Sequence, residues 1–503
     1  MNTFIKIISC CLFILALAGC HGELEPINYG EISPSIFPKT EKDLEALVMS
    51  CYRPVLDINM GNENGFLQNN DLVAGIFTAR NMWTTAEIRY TERSGTTTYT
   101  WTNFINRISR CTLVRNELEN SDLLSPNNKK KMMAEVSCAR AYLSYVMFDM
   151  YGPIVVAPLE VLQNPLEEKP LPRLSNDEMV KFIEDDLLYA AENLPYPRDT
   201  EYGKFSSGFA KMLLIRLYLH ETVNDKNYYN KVETLARELM GSGYNYELMP
   251  DYPDMFRPDG QGSKNTEFIF VIPSSYDGAS GNSWHMYSVP SNMDNPSKLS
   301  GWISICGTWW FLDSFEEGDT RKTFLLDEYT TTAGVLRTRE NPGGVMELGA
   351  GPIVLKYDWD MQASNYGGRI RADRPCYRYP DVLLSLAEAI VMKPGGSVTS
   401  EAIELVNIVR RRANLPDKFI SGIPDNDAFI NQLLFERAHE FWCENGQYRA
   451  DLIRHDKLYS RWYEIYPNLD PAVAARYKIL FPLPPAAITD GKGQVIQNPG
   501  YAQ

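Results

Sequence analysis

Along most of the chain, apolar residues recur three and four positions apart, and that spacing commits the sequence to helices that each bury one face. The clearest case opens at Ser125-Pro126, carries Met132, Val136, Ala139, Leu143, Val146 and Met150 on one stripe, and stops at Gly152-Pro153. After Thr40 as N-cap, Leu44, Leu47, Val48 and Cys51 repeat the pattern, and Pro54 is expected to close that segment. Ser175-Asn176-Asp177-Glu178 reads as a capping box ahead of Met179, Ile183, Leu187, Ala190 and Leu194, with Pro195 and Pro197 breaking the chain behind it. Residues 206–221, 228–240, 379–392, 401–414 and 427–443 read as further helices. Short links predict antiparallel pairs. Small residues such as Ala139, Ala141, Ala210 and Ala389 let axes approach, as in tetratricopeptide units, although the 34-residue consensus of that repeat is absent.

From Gly241 to about Pro375 the character changes to Gly, Pro, Ser, Asn and aromatics, with short strand-like pieces at Phe268 to Ile272 and Ile353 to Tyr357. Trp284, Trp302, Trp309 and Trp310 all fall in this stretch. The expectation is a mainly α fold: tetratricopeptide-like helix pairs forming a single scaffold, with long irregular loops and a few short strands. It divides into a leader of residues 1–19, a helical part of 20–240, a loop-rich aromatic region of 241–375 and a closing part of 376–503. Residues 20 to 503 are expected to form one compact unit.

At the start, Lys6 precedes an apolar run from Ile7 to Ala18, too short to span a bilayer but of signal-peptide length. It ends in Leu17-Ala18-Gly19-Cys20, which looks like a bacterial lipobox, with the Cys20 thiol available for a lipid thioether. The cysteines beyond it, Cys51, Cys111, Cys138, Cys306, Cys376 and Cys443, are scattered and contain no Cys-x-x-Cys. They read as buried small apolar side chains rather than a disulfide scaffold. With 49 basic against 64 acidic side chains the net charge is -15, which excludes a polyanionic nucleic acid as the natural partner.

Catalytic signatures are missing. There is no Gly-x-Ser-x-Gly, Ser-x-x-Lys, Gly-x-Gly-x-x-Gly or phosphate loop, and the five histidines never fall at His-Glu-x-x-His spacing. No catalytic residue, metal ligand or cofactor is expected. The acids supply many carboxylate pairs, but for any one pair solvated helix faces are the better reading.

The C-terminal part is specific. Arg378-Tyr379-Pro380-Asp381-Val382-Leu383-Leu384 runs into Ala387-Glu388-Ala389. Val406-Asn407, Val409-Arg410, Arg412-Ala413 and Leu415-Pro416 follow. Then come Glu436-Arg437, Glu440-Phe441, Glu444, Arg449 to Arg454, Phe481-Pro482-Leu483-Pro484 and Gln497-Asn498-Pro499-Gly500-Tyr501. With Glu135 to Gly152 and Phe315-Glu316, Gly318-Asp319 and Arg321 upstream, this series resembles the SusD/RagB family of Bacteroidota surface lipoproteins. Asp456-Lys457-Leu458, in place of a glycine-containing stretch, and Pro380, in place of a small residue, are the departures.

The resemblance implies a protein tethered to the outer leaflet of the outer membrane and facing the exterior. It would cap a SusC-like TonB-dependent transporter, bind an oligo- or polysaccharide, and deliver it without cleavage. A peptide-binding lid of the same type, a surface glycoside hydrolase and a structural helical-repeat adaptor are the alternatives. Glu436, Arg437, Glu440, Arg449, Asp451 and Arg454 are expected to form buried ion pairs and helix-end contacts, and Asn498 to Tyr501 a turn with an aromatic plug. Ligand contact is expected from at least two of Trp83, Trp101, Trp284, Tyr287, Trp302 and Trp309. Trp101, which follows a Thr-rich loop, is the one expected to prove structural. The anchor is directly testable: Cys20→Ala should leave the precursor unprocessed or release folded protein, and unchanged fractionation with outer membranes would refute lipidation at Cys20.

Overall fold

The computed structural model describes residues 37–58, 66–79, 88, 90, 91 and 95–502, except 165, 168, 259–261, 263, 264 and 277–280. The leader, Cys20 and Trp83 lie outside the described residues. The chain divides into two units, Met1–Leu44 and Glu45–Gln503.

Thr40 caps the first helix reciprocally. Its hydroxyl accepts the Asp43 N–H at 3.2 Å, and the Asp43 carboxylate accepts the Thr40 N–H at 3.0 Å. Helix α1, Glu41–Ile58, then runs through Pro54 instead of ending there. Cys51, Tyr52 and Val55 are buried on both sides of the proline, and that packing holds the turn in spite of the lost N–H.

Helix α2 spans Gly95–Asn120, so the threonines before Trp101 belong to a helix and not to a loop. Packing decides this, since Trp101, Phe104, Ile108, Cys111, Val114 and Leu118 form a buried stripe. Helix α3, Pro126–Tyr151, starts with Ser125 as cap and proline in the first turn, and ends at Gly152, whose φ of 71° suits a residue without a Cβ. Helix α4, Asn176–Asn193, carries the capping box, with Ser175 Oγ accepting the Glu178 N–H at 3.3 Å and Glu178 accepting the Ser175 N–H at 2.8 Å.

Helices α5, Ser207–Glu221, and α6, Tyr228–Leu239, precede the loop-rich stretch. Beyond it come α7, Tyr379–Met392, α8, Ser400–Arg412, α9, Asn426–Phe441, α10, Tyr448–Arg454, and α11, Leu458–Ile465. Neighbours pack in sequence from α2 to α6. Then α6 packs on α7, which in turn packs on α8 and α9, so the helix stack continues across the intervening loops. Ala139, Ala141, Ala210 and Ala389 are all fully buried at these contacts.

The loop-rich stretch is stitched by two-stranded antiparallel pairs. Strand β1, Phe77–Ala79, pairs with β3, Ile305–Gly307; β2, Phe268–Ile272, pairs with β8, Arg374–Arg378. Strand β4, Leu325–Leu326, pairs with β7, Ile353–Val354; β5, Tyr329–Thr330, pairs with β6, Leu336–Arg337. Strand β2 has the predicted bounds, whereas the piece predicted at 353–357 keeps its strand only over Ile353–Val354. Val289, Met293, Ile303, Cys306, Tyr329, Leu348, Ile353 and Leu355 form a core of the stretch's own. The β2–β8 ribbon is its neck, leading directly into α7.

The charged motif is buried, as its sequence predicts. Arg378 Nη1 meets Glu267 at 2.5 Å and Glu440 at 2.7 Å, and its Nη2 meets Glu444 at 2.7 Å. Arg412 shares Glu267 and Glu440, and Arg321 joins Asp319, Glu436 and Glu440. A second cluster links Arg437 to Asp381 and Asp451, Arg216 to Asp451, and Arg454 to Glu388 and Asp451. Arg449 pairs with Asp149 at 2.9 Å. The closing turn is also as predicted. Asn498 donates to Tyr151 O and Phe481 O, and the Tyr501 hydroxyl donates to Leu480 O while its ring meets Tyr477 edge-on. At Gly500, with φ of 89°, a Cβ would fall 2.3 Å from the Tyr477 ring.

Removing one partner from such a buried group leaves a bare charge, so Arg378→Ala should destabilise by about 3–5 kcal/mol, read as a lower guanidinium midpoint. Acid sensitivity follows as well. Burial opposes ionisation of Glu440, Asp451 and Glu388, but the neighbouring arginines, with His455 beside Glu388, hold all three carboxyls below the usual carboxylate range. Their stabilisation is present above about pH 4 and lost as pH falls through the folded values. Asp71 has the opposite sign: burial pushes it up to about 7 although it accepts the Cys443 N–H. Its contribution is full in acid and fades as pH rises towards that value. Asp71→Asn should therefore flatten the neutral side of the midpoint-against-pH curve and leave the acid side steep; an unchanged neutral side would refute the assignment.

Candidate functional site

Aromatic side chains reach solvent in the loop-rich stretch because the loops that carry them are fastened at their bases. Asn282 Oδ1 accepts the Trp284 N–H at 3.0 Å and starts a short helix, Trp284–Ser288. The Trp284 ring turns inward, donating from Nε1 to Val354 O at 3.1 Å and tilting against Phe77. Past Gly301, whose Cβ would lie 2.4 Å from Val289 O, the chain returns over this helix. Trp302 then donates twice to Met286 O, from its backbone N–H at 2.9 Å and from Nε1 at 3.2 Å. Its ring is 41% exposed and stands 5.6 Å from the half-buried Tyr287 ring, inclined at 49°.

A second pair lies in the same stretch. Tyr276 and Tyr366 stack with centroids 3.9 Å apart and planes within 4°. The Tyr276 hydroxyl donates to Asp360 at 2.8 Å, and the Arg371 guanidinium lies 5.1 Å from the Tyr276 centroid. Burial would raise the Asp360 carboxyl, but hydrogen bonds from Gln362 N–H, Tyr276 and Arg371 N–H outweigh it and keep it below the usual range. Asp360 is thus a fixed anionic support for the stack. Tyr366 is 43% exposed and is followed by Gly367 and Gly368, both at positive φ. Met286 ties the two pairs together, because its thioether packs where a Cβ of Gly368 would be while its carbonyl holds Trp302.

Of the six aromatics expected at a ligand site, the structure brings Tyr287 and Trp302 together. Trp284 and Trp101 are buried, Trp101 edge-on to Tyr151 at 5.3 Å, and neither offers a ring face. Trp309 stands apart under the Arg339 guanidinium, 4.7 Å from its centroid, with Arg339 held by Asp313 at 2.8 Å. Trp83 is not among the described residues. Sequence reasoning passed over Tyr276 and Tyr366, although both sit in tracts that cannot bury a large ring: Ser274-Ser275-Tyr276-Asp277-Gly278 and Ser364-Asn365-Tyr366-Gly367-Gly368.

Such surfaces bind by contact. Flat faces with fixed orientation accept apolar CH groups, while nearby hydroxyl, amide and guanidinium groups accept polar ones. His285, beneath the platform, is pushed down to about 4 by burial and bonds Tyr357 O, so it is a neutral strut at physiological pH. Among the described residues no group of three or more His, Cys, Asp or Glu is placed to hold a metal ion, and no helix is long and apolar enough to cross a membrane.

Residues 26–219 match a family model described as starch-binding, associating with the outer membrane, and residues 351–501 match the model of the SusD family. A SusD superfamily protein from Parabacteroides distasonis superposes with a TM-score of 0.74 at 22% identity, over 94% of this chain and 100% of its own. A laminarin-binding SusD-like protein gives 0.74 at 20% identity, over 92% of this chain and 100% of its own. Surface glycan-binding protein A from Bacteroides fluxus gives 0.72 at 20%, again over 92% of this chain and 100% of its own. No curated protein gives a match. With family matches in both its N-terminal and C-terminal parts and a helical fold shared with SusD-like structures over more than nine-tenths of its length, the chain belongs to the SusD/RagB family.

Proposed function

We propose that the protein captures a glycan at the cell surface and passes it on uncleaved. Lipid on Cys20 would hold it to the outer leaflet of the outer membrane, and a SusC-like TonB-dependent transporter would receive the ligand. The observation that carries this reading is the pair of exposed aromatic surfaces, Tyr287 with Trp302 and Tyr276 with Tyr366, fixed from beneath by Met286 and Asp360. An aromatic plane recognises the CH face of a pyranose and excludes water from it. Hydrogen bonds to the ring hydroxyls would come from the polar loops around it. Family membership, and relatives described as binding laminarin or surface glycans, support the same ligand class. The two aromatic pairs constitute the proposed site, and Trp83 and Trp309 are proposed as separate ligand contacts outside it. Trp284 is the support at the start of the helix that carries Tyr287, and Trp101 belongs to the helix core.

Affinity electrophoresis against soluble starch, laminarin, xylan and pectin should show retardation by at least one polysaccharide. Calorimetric titration with the retarding glycan should then show weaker binding for Trp302→Ala and Tyr366→Ala. Loss of about 0.5–1.5 kcal/mol of stacking corresponds to roughly two- to twelve-fold. Prolonged incubation should release no new reducing ends. Unchanged affinity in both variants would remove the platform from the site, and new reducing ends would overturn capture without cleavage. For the partner, mild detergent extraction should recover the protein with a large outer-membrane protein, because a lid must cover a broad surface. Recovery alone, with the neighbouring transporter expressed, would refute the partnership.

A further inference from the structure

A cavity of about 260 Å³ shares no lining residue with the two aromatic pairs. Its walls are the 197–206 link between α4 and α5, the 244–246 loop behind α6, and the run from Asn265 into β2. Tyr244 and Tyr246 line it with near-parallel rings, their centroids 6.2 Å apart and their planes within 15°. Asn245 between them adopts the left-handed conformation, with φ of 53°, which a short polar side chain tolerates. Tyr244 is set further by Tyr196, 5.2 Å away, and by Lys211, whose Nζ lies 5.2 Å from its centroid.

The cavity has more donors than acceptors to match them. Asn265 is 8% exposed, and its amide orientation is fixed because Oδ1 accepts the Glu267 N–H at 2.9 Å. Nδ2 is thereby left buried with no acceptor. The Tyr246 hydroxyl is also buried without a hydrogen bond. It reaches the first turn of α5 because Gly208 has no Cβ, which would stand 2.1 Å from the hydroxyl oxygen. Ser206 is beside it, but its oxygen already accepts the Phe209 N–H at 3.2 Å. Towards solvent, Arg198 and Lys204 line the cavity against Glu201. Lys204 Nζ rests on Met49 Sδ at 3.2 Å and lies 5.4 Å from the Tyr52 centroid, and among the described residues no carboxylate pairs with it. We propose that this cavity receives a uronic acid unit of an acidic glycan, whose carboxylate accepts from Asn265 Nδ2 and the Tyr246 hydroxyl while Lys204 balances its charge.

The inference rests on the glycan-capture reading and narrows its ligand class. A carboxylate is ionised at neutral pH and accepts only, so it satisfies both buried donors and brings no proton of its own to place. A neutral sugar hydroxyl accepts one donor, adds another, and leaves Lys204 unmatched. Burial pushes the Tyr246 phenol up, so it stays a donor at any pH the cell surface meets. The volume falls just below the range of about 300–1,000 Å³ usual for whole-ligand pockets, which suits one ring of a chain. The Tyr244 ring supplies an apolar wall for the CH groups of that ring.

The probes are trigalacturonate, its methyl ester and sodium acetate, each titrated into the purified protein by calorimetry. Trigalacturonate should bind, its ester about ten-fold more weakly, and added salt should weaken the acid alone. Tyr246→Phe removes only the hydroxyl and should lower trigalacturonate affinity about ten-fold. Asn265→Asp keeps the contact to Glu267 and sets like charge against the ligand, so it should lower affinity at least as far. Lys204→Gln, on the solvent side, should lower it a few-fold and remove most of the salt dependence, and it decides the matter if an inner variant fails to fold. Equal affinity for acid and ester, an acid bound no more tightly than acetate, or unchanged affinity in the folded variants would overturn the inference. Retardation of the protein by neutral polysaccharides with no trigalacturonate binding would overturn it too and leave glycan capture standing. Trigalacturonate binding that the variants weaken, without retardation by any polysaccharide, would support the cavity and count against capture.

Discussion

Arg378 carries a full charge at a position with no exposure, and the rest of the molecule is arranged so that this is tolerable. Its three carboxylates come from separate places: Glu267 just before β2, Glu440 in the last turn of α9, and Glu444 in the turn that follows. A buried guanidinium is expensive unless every lone pair and proton around it is matched. The neck ribbon, the start of α7 and the end of α9 must therefore take up their positions together. Arg412 and Arg321 draw on the same carboxylates, which extends the constraint to α8 and to the loop carrying Asp319. The net worth of such a network to stability is modest against an apolar alternative. What it supplies is register: a charge cluster has one arrangement in which all members are paired, whereas packed leucines have several.

That division explains what the sequence discloses and what it withholds. Helix starts are written locally, in Ser125, Ser175, Ser206, Thr399 and Asp425, each of whose oxygens accepts an N–H of the first turn. The first turn of helix α2 was hidden because four threonines among residues 96–100 read as loop, whereas Trp101 already stood where a helix could begin and Phe104, Ile108, Cys111 and Leu118 continue its stripe. Pro54 misleads for the same reason in reverse, since a strong local signal gives way to burial on both sides. The charged helix was legible as buried ion pairs because Glu436, Arg437 and Glu440 stand among apolar residues. Glu267 and Arg321, each more than a hundred positions upstream of the Arg378 and Glu436 they pair with, could not be assigned as partners from spacing.

The candidate site shows the same limit. Tryptophans draw attention in a sequence, yet the largest apolar side chains are the ones a small loop core needs most. Trp284 is consumed in this way, with its one N–H satisfied by Val354 O. Trp302, in the same aromatic-rich stretch, also has its N–H satisfied, but by the carbonyl beneath it, so its ring stays outside. One device, an indole N–H on a backbone carbonyl, produces a core anchor in the first case and an oriented surface in the second. Tyr276 and Tyr366 reach the surface because the Ser, Asn and Gly around them supply nothing to bury a ring against. Exposure here follows from what the neighbours lack, a signal that a search for tryptophans passes over.

On the proposed reading, in which the protein takes up a glycan and passes it on, anchoring matters. A ring already fixed by its own hydrogen bond loses little rotamer freedom when a sugar stacks on it, so a modest contact area is enough for capture. The same rigidity limits affinity, because a fixed plane cannot fold over the ligand and bury its second face. Two such planes, one stacked pair and one inclined pair joined through Met286, would offer a glycan two separate contacts. An open surface of this kind binds several ring units weakly at once, and each can be released separately. For handing a glycan to a partner, that property is more useful than a closed pocket with slow dissociation. The deep ionic framework and the shallow aromatic surface are thus complementary: the first removes motion from the loops, and the second can then bind without needing to move.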